Sequence, residues 1–220
     1  MKKTFIQLAC GVLLLGFGMV FTTSIQSCRK KDIVKPDTTV LVKEPFIYIY
    51  PKEDISLKID ISFPQGGAVV ASIPAYQNGW AIDVDSAGKI DKTYNNLFYE
   101  SEQPDKWQYK SGWIVQNDSL MAFFQKNMSD YGFISKEIKD FTDYWVPKLK
   151  KYPFYMIYPQ EIDLINQLVK VNYSVKPDNE LRLFYAVKGV NEKTDIVNQI
   201  VPSGFKREGF YVAEWGVITK

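Results

Sequence analysis

The chain of 220 residues contains no histidine. That absence excludes a Ser-His-Asp triad, a Cys-His pair, a histidine-ligated zinc or copper site and an ordinary haem site. Cysteine is almost as scarce. The two present, Cys10 and Cys28, lie near the N-terminus, so residues 29–220 hold no thiol and no disulfide. No glycine-rich phosphate cradle occurs. Nor does charge of one sign accumulate. The 27 basic and 25 acidic residues leave no electrostatic footprint for nucleic acid. The chemistry still open is carboxylate acid–base work, a Ser-Lys arrangement, tyrosine chemistry, or calcium or magnesium held by oxygen. No cofactor is expected.

What is present begins with a leader. Met1-Lys2-Lys3 supplies a positive start, Phe5 to Phe21 is a nearly unbroken apolar stretch, and Ser24-Ile25-Gln26-Ser27-Cys28 ends it. This is the anatomy of an export signal. It resembles a bacterial lipoprotein signal, which implies that Cys28 is lipidated and becomes the new N-terminus. Ile25 and Ser27 fit the cleavage box. A retained membrane span is the weaker reading, because the apolar stretch is shorter than the roughly 20 residues a bilayer needs and contains Gln7. Residues 1–27 are therefore read as signal peptide, 28–41 as a flexible tether, and 42–220 as one domain. The expected location is exported and membrane-anchored, on the periplasmic face or the cell surface. Losing Lys2 and Lys3 with the leader turns 27 basic residues into 25, equal to the 25 acids. Arg29, Lys30, Lys31 and Lys35 stay beside the lipid, where anionic head groups lie.

Period-two patterns dominate the body. In Asp54 to Phe63, the residues Ile55, Leu57, Ile59, Ile61 and Phe63 alternate with polar ones, which predicts a half-buried strand. Further strands are expected at Phe46–Tyr50, Ala68–Ile73, Trp80–Val84, Asn96–Glu100, Gln108–Gln116, Phe154–Tyr158, Val169–Val175, Leu181–Val187 and Phe210–Ile218. Helical spacing takes over at Leu120, Phe123, Phe124 and Met128, with Asn117 or Asp118 as cap. It returns at Ile138, Phe141 and Trp145, with Ser135 as cap and Pro147 as stop. The fold class is α+β, mainly antiparallel and sandwich-like, with a two-helix hairpin inserted near the middle. Pro45–Pro51 and Pro153–Pro159 share the pattern P-F-x-x-I-Y-P, which reads as two proline-bounded strands rather than a duplication.

Several motifs stand in a familiar order: Glu44-Pro45-Phe46-Ile47-Tyr48-Ile49-Tyr50-Pro51, Gly79-Trp80, Leu97-Phe98-Tyr99-Glu100, Gly112-Trp113-Ile114-Val115, Tyr144-Trp145-Val146-Pro147, and Phe205 through Gly216. Together they resemble a family of bacterial secreted and lipoprotein sequences with no established reaction. The resemblance implies a single intact domain and no particular chemistry. Glu44 and Tyr99-Glu100-Ser101 depart from the family's usual Lys and Trp-Glu-Gly.

Two carboxylates and two tryptophans are the candidate site residues. Glu214 lies in a strand apolar on both faces, and Glu100 ends a short apolar strand. As a pair they would suit a glycoside hydrolase, one as acid and the other as base or nucleophile. The structural alternative for Glu214 is a buried acid bonded to a nearby Arg or Lys. Trp107 and Trp113 have polar neighbours, as an exposed platform for sugar rings would. Asp83-Val84-Asp85-Ser86-Ala87-Gly88 echoes a calcium loop but lacks its ligands at Ala87 and Tyr94, so it reads as a hairpin turn, and no metal site is expected. Ser86 and Lys89 match Ser-x-x-Lys, but in a turn rather than at a helix start. The expected function is a lipid-anchored binding or accessory protein of the cell envelope, recognising a glycan or an envelope protein. A Glu100/Glu214 hydrolase and a purely structural lipoprotein are the alternatives.

Overall fold

Stretches apolar on both faces, such as Phe46–Tyr50 and Phe210–Ile218, require a cover on each face of their sheet, and the architecture supplies two different ones. The computed structural model describes residues 38–202 and 205–219. In chain order the elements are β1 (Thr39–Tyr50), β2 (Ile55–Ser62), β3 (Ala68–Ile73), β4 (Trp80–Val84), β5 (Leu97–Pro104), β6 (Ser111–Gln116), α1 (Leu120–Tyr131), α2 (Ser135–Trp145), β7 (Phe154–Glu161), α3 (Ile162–Leu168), β8 (Lys170–Tyr173), β9 (Asn179–Val190), β10 (Val197–Asn198) and β11 (Tyr211–Thr219). The fold is α+β and mostly antiparallel, with the helix pair in the middle of the chain. The leader, Cys10 and Cys28 lie outside the described residues, as does most of the segment read as tether. Its last residues, Thr39 to Leu41, already belong to β1.

An eight-stranded sheet runs β10-β6-β7-β9-β11-β1-β5-β3, and a three-stranded sheet runs β4-β2-β8. Two pairings are parallel, β9 with β11 and β6 with β10. One face of the large sheet packs on the small sheet and α3: Ile47, Ile49, Tyr99, Phe184 and Val212 meet Leu57, Ile59, Ile82, Ile165 and Val171. The other face packs on the helical hairpin, where Tyr48, Tyr185, Ala213 and Trp215 meet Phe124, Met128, Phe141 and Trp145. Alternation along β1 thus sends Ile47 and Ile49 to one core, and Tyr48 to the other. The helix-side core is aromatic, with Phe141 5.2 Å from Trp215 and 4.9 Å from Phe124 between ring centroids. Each such burial is worth about 2 kcal/mol.

The helices start differently from the sequence expectation. Asn117 to Ser119 form a 3-10 turn, and the Asn117 amide donates to the Leu149 and Tyr152 carbonyls instead of capping α1. Ile134, not Ser135, is the N-cap of α2, and its amide donates to the Glu137 carboxylate at 2.9 Å. Between the helices Gly132 takes φ +105, where its amide closes α1 on Met128 and Ser129. A Cβ there would lie 2.9 Å from Phe205.

Gly112 marks a close approach of a different kind. A Cβ at this position would lie 2.1 Å from the Ile157 carbonyl oxygen of β7. Gly112→Ala should therefore cost at least about 2 kcal/mol in urea unfolding. Gly66 has φ +87 but nothing within 4 Å of its built Cβ, so Gly66→Ala should cost about 1 kcal/mol, through backbone strain alone. Equal losses would contradict this packing.

Candidate functional site

Glu214 has no exposed surface, and its surroundings explain why it is tolerated there. In the parallel β9–β11 pair it stands directly opposite Arg182. Arg182 Nε donates to Glu214 Oε2, and the Tyr99 hydroxyl donates to Glu214 Oε1 at 2.7 Å. Arg182 Nη1 goes on to the Asn166 side chain and to the Val169 carbonyl at 2.8 Å, where α3 ends. Only 1% of the Arg182 side chain is exposed. Burial acts to lower the Arg182 pKa, but the Glu214 carboxylate together with Tyr99 and Tyr173 outweighs it and holds the guanidinium above its usual value. Burial, reinforced by Glu214, likewise pushes the Tyr99 hydroxyl well up. This carboxylate is a buried, doubly bonded ion-pair partner with no path for a substrate.

Glu100 is on the other side of the sheet. It follows Tyr99 in β5, so it projects towards α2, near Glu44 and Tyr144. Burial, with a smaller contribution from Glu44, raises its pKa above the usual value. Glu44 itself accepts from the Tyr144 hydroxyl and takes φ +52 where the β1 register shifts. The structure does not bring Glu100 and Glu214 into one cleft, so the acid–nucleophile geometry of a glycosidase is not built from them.

The two tryptophans separate in the same way. Trp107 does not stand on the exposed platform that its neighbours suggest; it is 5% exposed and packs on Phe184, with centroids 5.9 Å apart. The segment after β5 crosses over the small-sheet core, and the indole drops into it. Trp113 is half-buried and rests on Phe123 at 5.4 Å. It lines an open groove of about 630 Å³ between β6 and α1, together with Gln116, Phe123, Lys126, Asn127 and Asp130. The Tyr185 hydroxyl donates to Asn127 Oδ1 at 2.6 Å, which leaves the amide nitrogen as the donor that Asn127 can present. Lys126 and Asp130 pair at 2.8 Å along the helix rim. An aromatic floor with several hydrogen-bonding groups at its rim is what a small polar ring needs.

Sequence reasoning missed a second buried pair on the helix side. Glu137, also without exposed surface, receives Arg207 Nη2 at 2.5 Å and the Tyr50 hydroxyl at 2.8 Å. Arg207 Nε donates to the Gly132 carbonyl at 2.9 Å, and the guanidinium lies 5.1 Å from the Tyr211 ring centre. Arg207 was visible in the C-terminal motif, but nothing local pointed to Glu137. The calcium-like segment is a turn: Asp85 Oδ1 accepts from the amides of Ala87 and Lys89, and Gly88 has φ +82. The Lys89 ammonium donates to Asn95, not to Ser86. Among the described residues, no group of three or more Asp, Glu, Cys or His is arranged to hold a metal ion.

No family model, curated protein or solved structure matches this chain.

If Arg182 and Glu214 form a buried pair, removing one partner strands a charge. Arg182→Met and Glu214→Leu should each cost about 3–5 kcal/mol, while the double variant should lose clearly less than their sum. A denaturant double-mutant cycle reads this coupling. Strict additivity would mean the two side chains do not depend on each other.

Proposed function

We propose that the chain is an exported, lipid-anchored component of the cell envelope that holds a glycan in the groove between β6 and α1. The observation that carries the binding reading is the half-buried Trp113, packed at a tilt against Phe123 inside an open groove of about 630 Å³. A sugar presents an apolar C–H face that suits an indole, while its hydroxyls suit the exposed Gln116 and Asp130 side chains at the rim and the amide nitrogen of the more buried Asn127. The anchoring part of the proposal is supported by the leader and its terminal Cys28. The membrane is then a partner through the lipid.

A hydrolytic role finds no support in the placement of Glu100 and Glu214. Other residues at the groove do not replace them. Asp130 is paired with Lys126, and it is the groove's lone carboxylate among the residues named as lining it. Holding a ligand fits this chemistry better than cleaving one.

On a glycan array, the native protein should bind a defined set of sugars, and Trp113→Ala should lose at least about tenfold in affinity. Thermal unfolding of the variant should stay within a few degrees of the native value, since Trp113 is only partly buried. Retained binding in Trp113→Ala would remove the groove from consideration. Absence of any glycan hit for the native protein would move the proposal to an envelope protein as ligand.

A further inference from the structure

The end of the large sheet at which the chain enters carries a cluster of unpaired lysines, and we propose that this end lies flat on an anionic phospholipid surface. Strand register identifies the end. Thr39, the first residue of β1, is opposite Pro104, the last of β5. Thr219, the last of β11, is opposite Val187 of β9, and Val190 of β9 is opposite Phe154, the first of β7. Lys148, Lys150 and Lys151 immediately precede β7, and Lys188 stands in β9 opposite Met156.

All four ammonium groups are on exposed side chains. The exposed ion pairs among the described residues involve Lys52, Lys126 and Lys139 instead. The Lys148 ammonium lies 4.1 Å from the Tyr144 ring centre, and that of Lys151 lies 5.3 Å from the Tyr152 ring centre. Lysines interleaved with half-buried tyrosines suit the head-group layer, where an amphipathic ring and a cation both find partners. The acids near these lysines include Glu102, Asp118 and Glu192, and Glu44, which accepts from the Tyr144 hydroxyl beside Lys148. Asp118 already accepts from Gln116 and Ser119, and Glu102 accepts from Thr39.

The length of chain ahead of β1 selects a membrane over a soluble anion. This step rests on the lipid-anchor reading of Cys28. Residues 29–37 alone separate that cysteine from Thr38, and a stretch this short reaches at most about 35 Å. The end carrying Thr39 is therefore the end held near the bilayer. Arg29, Lys30, Lys31 and Lys35 lie in the sequence between Cys28 and β1. Anchor and patch act together: the acyl chains hold the protein at the bilayer, and the lysines set which end faces it.

The test uses the mature acylated protein in vesicles of phosphatidylcholine alone, or with about one-third phosphatidylglycerol. A membrane-impermeant amine reagent labels exposed lysines, and mass spectrometry reads each site. Lys148, Lys150, Lys151 and Lys188 should label at least about fivefold more slowly on the anionic vesicles, and 1 M salt should abolish the protection. Lys52 and Lys206, at the opposite end of the sheet, should label equally on both. Equal labelling of the four lysines on both vesicles would overturn the proposal. So would equal protection on phosphatidylcholine alone, or protection without vesicles, which would indicate contact between copies. Failure of the lipid reading is seen separately, as a Cys28 peptide of unmodified mass and protein that does not float with vesicles.

Discussion

A charge placed in the dry interior between two sheets must be neutralised where it stands, and the Arg182–Glu214 pair meets that requirement. Because β9 and β11 run parallel in register, the two residues face each other directly. Each also hydrogen-bonds to a different element, although Arg182 Nη2 is left without a partner. Glu214 takes the hydroxyl of Tyr99 from β5, while Arg182 reaches the carbonyl at the end of α3. One ion pair thus ties together three strands of the large sheet and the helix that leads into the small one. The helix-side face repeats the logic with Glu137 and Arg207, which fix the approach of the chain to β11. The last strand in sequence is a central strand in space, flanked by β9 and β1. Closing the sheet therefore waits for the C-terminal segment, and both buried pairs lock that segment once it arrives.

This economy of charge shapes what the protein can do. Its two most buried carboxylates are committed to arginines, and Glu100 stands on the opposite face of the sheet from Glu214, beside Glu44. Glu100 and Glu214 therefore do not form the acid pair of a glycosidase. What the packed layers do provide is a rigid frame, and a groove on such a frame binds with little reorganisation. The Trp113 groove lies beside β6, near the margin of the sheet, where β10 covers only Ser111 and Gly112. Beyond that short partner the strand and α1 leave the aromatic floor open.

Much of this was legible in the sequence, and the failures have physical causes. β4 falls at the residues where strict alternation put it, because it has one dry and one wet face, and β3 matches its expected bounds as an edge strand. The helical stripes through Phe124 and Phe141 were equally plain. Glu214 was readable as a buried acid because both faces of its strand are apolar. Its partner was not, since parallel pairing of β9 with β11 leaves no local mark in either strand. The seven-residue α3 was missed because Ile162, Leu164, Ile165, Leu168 and Val169 form too short an apolar run to separate helix from strand. Trp107 misled because charged neighbours report exposure in regular strands but not in a crossing loop. The two P-F-x-x-I-Y-P segments do occupy similar places, β1 between β5 and β11 and β7 between β6 and β9. Their successors in the chain differ, since β1 leads to a strand and β7 to a helix.

If the buried pair is the constraint on which the rest depends, the strands it joins must be the last part of the protein to open. Native-state hydrogen exchange of the backbone amides reads this directly. The amides of Leu181–Tyr185 and Val212–Val217 should exchange only through global unfolding, with an opening free energy equal to that from denaturant. Amides of α1 and α2 should open earlier. Exchange of the β9 and β11 amides through a smaller, local opening, while the helical hairpin stays protected, would contradict the account.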